Sequence, residues 1–160
     1  MQYRWATSGD LNAFFALFLD NIVNLVLLAS FMINIFGFPE NVIYTYMIPG
    51  TALGVMFGDL VYTWMAFRLA KRDGRQVTAM PLGLDTPSTI GMVFAVLGPA
   101  FLYFKFTKGM DEQAAAMLTW KVGMATMIWM AVVKTVTSFF GETIQRIVPT
   151  AGLLGSLAGI

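Results

Sequence analysis

The sequence predicts an all-α, polytopic membrane protein, and three observations carry that prediction. Apolar residues make up 58% of the 160 and charged residues only 12%, whereas a soluble domain is typically about 25% charged. Mean hydropathy is +0.70. Long apolar stretches recur, separated by short segments that hold glycine, proline and most of the charge. Cysteine and histidine are absent, which removes disulfide frameworks, thiolate and imidazole metal sites, and histidine general bases. No metal, no cofactor and no enzymatic activity are therefore expected. A formal net charge of +1 gives no reason to expect a nucleic-acid partner.

The first apolar stretch, about 11–36, exceeds the ~20 residues needed to cross the hydrocarbon core. It is too long for the core of a signal peptide and carries Asp20, Asn21 and Asn24, so it reads as an uncleaved first span. Gly37, Pro39 and Glu40 mark a turn. A second span, about 48–69, opens at Pro49 and ends among Arg68, Lys71, Arg72 and Arg75. A third is expected over 76–104 and a fourth over 114–140. After Gly141 and Pro149 a further apolar run begins, read as the start of a fifth span from 150.

Lysine and arginine set the orientation. With the amino terminus inside, Arg4, Arg68, Lys71, Arg72, Arg75, Lys134 and Arg146 lie on the cytoplasmic side, and only Lys105, Lys108 and Lys121 lie outside. A multi-pass protein of the cell (inner or plasma) membrane with a cytoplasmic amino terminus is expected.

Polar groups inside the spans need their own explanation. Asp20 and Asn24 are four apart and share a helix face, with Asn21 beside them. An aspartate at a helix centre costs about 2.5–3.5 kcal/mol to insert, so it is expected to face protein or water. Asp20 is read as lining a functional cavity; Asn21 and Asn24 are read either as part of it or as interhelical glue. In the second span Gly50, Gly54 and Gly58 recur every four residues, a smooth strip expected to pack closely on another helix. Asp59 follows, a candidate proton or ion relay or a hydrogen-bonded structural carboxylate.

The stretch "TAMPLGLDTPSTIG", residues 78–91, holds helix breakers where a span is expected. Pro81 and Gly83 oppose a helix, while Val77 and Thr78 favour extended backbone. Thr86 is then expected as an N-cap with Pro87 at the first helical position. The segment reads as a short strand followed by a half-helix, with non-helical backbone buried in protein or lining a cavity. The competing reading is a cytoplasmic loop followed by a short span from about 90 to 105.

Four segments, "GDLNAFFALFLDNIVNLVLLASFMINIFGFP", "MIPGTALGVMFGDLVYTWMAFRLAKR", "TAMPLGLDTPSTIGMVFAVLGPAFL" and "VPTAGLLGSLAGI", together resemble the amino-terminal part of a xanthine/uracil/vitamin C permease-like protein of the nucleobase transporter superfamily. The resemblance implies fourteen spans in a 7+7 inverted repeat, with the third and tenth spans each a strand plus half-helix meeting at the substrate. It implies Asp20 on the pocket side, Leu84, Asp85 and Thr86 at the junction, and Ser88 on the half-helix. Where many members have Gln-His in the first span this chain has Asn12 and Ala13, so contacts made by that histidine do not carry over. The function so implied is secondary active uptake of a purine, pyrimidine or related small molecule, coupled to a proton or cation. The partners are that nucleobase-like molecule, the coupling ion and the lipid bilayer, with a homodimer of the full-length protein left open. The run after Pro149 is too short for a span, so the chain is expected to be a fragment, inactive alone. The alternative is a small oligomeric membrane scaffold or channel subunit.

Overall fold

In the computed structural model, which describes residues 8–79 and 83–141, the apolar stretches become helices whose ends are set by glycine and proline. Helix α1 (Ser8–Asn34) closes where Gly37 takes a left-handed φ of 64°. The Gly37 amide donates to the Ile33 carbonyl (3.1 Å) and the Phe38 amide to that of Met32 (3.0 Å), the paired closure that a left-handed residue permits. The chain re-enters through a short turn of helix at Glu40–Val42 and a π-helical turn at Ile43–Met47, then runs as α2 (Ile48–Asp73). Pro49 accounts for the π turn: a proline in the first helical turn donates no hydrogen bond and crowds the preceding carbonyls, and a wider turn relieves both. The same device recurs in α3 (Thr86–Thr107), where π turns at Met92–Leu97 and Tyr103–Thr107 flank Pro99. Helix α4 (Glu112–Ser138) starts at Asp111, whose carboxylate accepts from the Gln113 amide (3.1 Å).

The chain divides into two compact units, one ending at Thr89 and the other starting at Ile90. In the first, Asn24, Ala29 and Met32 of α1 are buried, as are Val42, Ile43 and Met47 of the entry to α2. In the second, Val93, Leu97 and Phe101 recur every four residues on α3 and are buried, as are Ala115, Ala116, Thr119 and Gly123 on α4. Small residues on α4 let the larger α3 side chains approach; a Cβ on Gly123 would lie 2.7 Å from Leu97 Cδ2. The α3–α4 turn is closed by Lys105, whose Nζ pairs with Glu112 Oε1 at 2.8 Å and lies over the Phe101 ring.

Outside these small cores the surface is apolar: Phe15, Phe57, Phe106 and Trp129 are each at least half exposed, as suits helices solvated by lipid. Helices α1, α3 and α4 are long and apolar enough to cross a membrane. This is an all-helical membrane protein. Helix α2 occupies the place of the second expected span and at 26 residues is about 39 Å long, but its proline, glycines and Asp59 dilute its apolar character.

One expectation meets a different structure, and two fall wholly or partly on residues outside those described. Residues 75–79 and 83–85 are irregular, and no strand forms among the described residues; Met80, Pro81 and Leu82, the middle of the expected strand, lie outside them. The helix that follows is no half-helix ending near Leu97. It continues through its π turns to Thr107, 22 residues or about 33 Å, because a π turn changes the hydrogen-bond register around Pro99 without ending the helix. The fifth span, from 150, lies outside the described residues.

Candidate functional site: a coil-to-helix junction clamped on α1

Asn21 is the middle residue of the 27-residue α1, and Asn24 follows three positions on, so both project to one side of the helix. Asn21 Oδ1 accepts a hydrogen bond from the Leu84 amide at 2.6 Å. Asn24 Nδ2 donates to the Leu84 carbonyl at 3.0 Å, and also to the carbonyl of Asp20 at 3.0 Å. Two side-chain amides thus satisfy both backbone groups of one non-helical residue, the service water performs for a surface loop and lipid cannot. Gly83 lets the coil come this close, since a Cβ there would lie 3.1 Å from Leu17 Cδ2. The Gly83–Asp85 coil therefore sits level with the middle of α1.

The start of α3 differs from the sequence reading by one residue. Asp85, not Thr86, is the cap: its Oδ1 accepts from the Ser88 amide at 2.7 Å, and its carbonyl accepts from the Thr89 amide and Thr89 Oγ1, each at 3.0 Å. Thr86 is the first helical residue and Pro87 the second. Aspartate caps at least as well as threonine, and a carboxylate at a helix start also complements the dipole. The consequence is chemical. Pro87 has no amide, and those of Ser88 and Thr89 are already bonded, so the helix start offers few free donors and a negative charge. Asp85→Ala should therefore cost about 1 kcal/mol, seen as faster hydrogen exchange at the Ser88 amide, while Thr86→Ala costs a few tenths. Equal effects of the two would restore Thr86 as the cap.

Beside the junction, α1 and α2 border an open cleft of about 400 Å³. Phe14, Phe18 and Asn21 line it from α1, and Thr51, Val55, Asp59 and Thr63 from α2, with Leu84 at one edge. The α2 residues are four apart and form one stripe. That stripe, rather than the glycine strip, is the face of α2 turned toward the cleft. A Cβ on Gly50 or Gly54 would meet nothing within 4 Å, so the close packing expected at Gly50, Gly54 and Gly58 is not made at the first two by the described residues. The physical reason is that α2 presents its neighbouring hydroxyl and carboxylate stripe to a cleft rather than its backbone to a helix.

Asn21, Leu84 and Asp59 therefore share one cleft, with Asn24 and Asp85 holding the coil at its edge. Asp20 is exposed and does not line the cleft; its carbonyl serves Asn24. Ser88 is engaged through its backbone amide. Thr51 and Val55 were not singled out from the sequence, nor Gly83 as a point of close approach, though the four-residue spacing of Thr51, Val55, Asp59 and Thr63 was there to be found. Buried Asn24 Oδ1 and Thr119 Oγ1 have no hydrogen-bond partner among the described residues. Among those residues, too, no group of three Asp, Glu, His or Cys side chains is placed to hold a metal ion. The chain matches no protein-family model, no curated protein and no solved structure in the three comparisons made.

Proposed function

We propose that the chain is the amino-terminal part of a secondary active transporter of the cell membrane, with a cytoplasmic amino terminus. It takes up a purine, pyrimidine or related small molecule together with a proton or cation. The observation that supports this most is the clamped junction: irregular backbone level with the middle of an apolar helix, its polar groups met by Asn21 and Asn24, at the start of a new helix and the edge of a cleft. Transporters place substrates where helices are interrupted, because only there is backbone available at membrane depth. A cleft of about 400 Å³ falls in the range that small-molecule sites occupy. Its chemistry suits a flat, amide-like ring: aromatic and aliphatic walls for the faces, amide and hydroxyl groups for the edges. The Asp85 cap turns the selectivity toward ring N–H donors and away from anions, and Asp59 across the cleft is the proton or cation relay. The resemblance of the four quoted segments to nucleobase permeases points the same way, and from it come the 7+7 repeat and the strand.

One observation favours the competing reading. At about 33 Å, α3 crosses a bilayer unaided, as a span following an ordinary loop does, and the chain is then a scaffold or channel subunit. Uptake of radiolabelled adenine, guanine, xanthine and uracil by cells making the full-length protein that carries this chain separates the two. Accumulation of at least one base, collapsed by an uncoupler and lost in Asp59→Asn at normal membrane levels, is the expected result. No uptake of any of them by well-expressed protein contradicts it.

A further inference from the structure

Helix α2 carries a second ordered feature, on positions that alternate four and three residues apart and so form one straight face. Leu53, Phe57, Leu60 and Trp64 are exposed to between 53 and 63%, and the same face continues into exposed Arg68 and Lys71. Read along the helix, it presents apolar side chains, then an indole, then two cations within two turns. The Arg68 guanidinium lies 5.0 Å from the Trp64 ring centroid, a cation–π contact that fixes both at one level. The other cations nearby are occupied: Arg72 and Arg75 both pair with Asp73, at 2.9 and 3.4 Å. The Arg72 guanidinium hydrogen-bonds the Asp73 carboxylate and holds it below the usual carboxylate range. Lys71 has no such partner among the described residues. Gly74, with φ 62°, ends the helix immediately after.

We propose that this face binds an anionic phospholipid, with its acyl chain along Phe57 and Leu60, its glycerol region at Trp64, and its phosphate between Arg68 and Lys71. The order of chemistry along the helix is the order along a lipid molecule, and indoles and cations settle at those levels of a bilayer. Two cations with no carboxylate partner among the described residues, set against one phosphate, give the charge complementarity, since each basic residue near an anionic surface adds attraction. The proposal requires α2 to lie in the bilayer and is independent of what the protein transports.

The test uses Trp64 as its own reporter. The other tryptophans, Trp5, Trp120 and Trp129, are replaced by phenylalanine, and the chain is reconstituted into phosphatidylcholine bilayers containing brominated phosphatidylglycerol or brominated phosphatidylcholine in equal amounts. Phosphatidylglycerol is expected to quench Trp64 with an apparent affinity roughly threefold or more above that of phosphatidylcholine. Arg68→Gln/Lys71→Gln should remove the difference, and Arg72→Gln, which deletes an equal charge already held by Asp73, should keep most of it. Equal quenching by the two lipids overturns the proposal. So does loss in Arg72→Gln as large as in the double variant, which indicates diffuse attraction, or reversal by millimolar inorganic phosphate or by an oligonucleotide, which indicates a site for a free anion or nucleic acid.

Discussion

Asn24→Leu is expected to free the Gly83–Asp85 coil from α1 and to destabilise the protein by about 1–3 kcal/mol, the cost of leaving a buried polar group unmet. Asn24 is fully buried, and its amide is the donor to the Leu84 carbonyl; leucine fills the space without replacing the hydrogen bond. Asn21→Leu should cost a similar amount by orphaning the Leu84 amide. Because both act on one residue, the double variant should cost less than the two together. Asp20→Asn is the control: its side chain is exposed and only its carbonyl is used, so a change within about 0.5 kcal/mol is expected. Unfolding in detergent and limited proteolysis near Gly83 measure all four. Asn24→Leu behaving like Asp20→Asn would remove the clamp from the account.

Gly123→Val should be comparably damaging for the opposite reason. A Cβ there already meets Leu97 Cδ2 at 2.7 Å, and Leu97 is itself buried at 3% exposure, so the leucine has little room to yield and overpacking of about 1–3 kcal/mol follows. Gly54→Val, on a backbone with nothing within 4 Å, should change stability only by the small difference in helix propensity, a few tenths of a kcal/mol in valine's favour. Melting temperatures of the two purified variants decide. A larger loss in Gly54→Val would return the packing role to the α2 glycines.

What could be read from the sequence was what depends on one chain segment at a time. Spans 11–36 and 114–140 were legible because lipid imposes length and apolarity on each helix separately, and the structure places α1 and α4 within a few residues of them. The breakers at 78–91 announced irregular backbone, and 83–85 are irregular. What could not be read depends on contacts between segments. The glycine strip of α2 and the hydroxyl stripe one position along are equally periodic, and only the position of α1 says which one faces the cleft. Asn21 and Asn24 were legible as polar residues needing partners, but nothing local in residues 8–34 names Leu84 as that partner. The cap moved from Thr86 to Asp85 because two adjacent residues both make good caps and the sequence does not say which adopts the non-helical backbone. Pro99 does not end α3, because π turns on either side accommodate it, and nothing local in the sequence announces a π turn.

The clamp holds the start of α3 level with the middle of α1, and under the proposed function that level lies deep in the bilayer. The chain has no cysteine, so single nitroxide labels can be placed cleanly at Ser88→Cys, at Val23→Cys near the α1 centre, and at Leu11→Cys and Ile35→Cys near its ends. Relaxation by oxygen and by a water-soluble nickel chelate then reports the depth of each label in reconstituted bilayers. The expected result is a Ser88 label within about 5 Å of the Val23 depth, roughly one helical turn, and well below both end labels. A Ser88 label at headgroup depth, beside Leu11 or Ile35 and accessible to the chelate, contradicts the account and makes residues 74–85 an ordinary loop before an ordinary span.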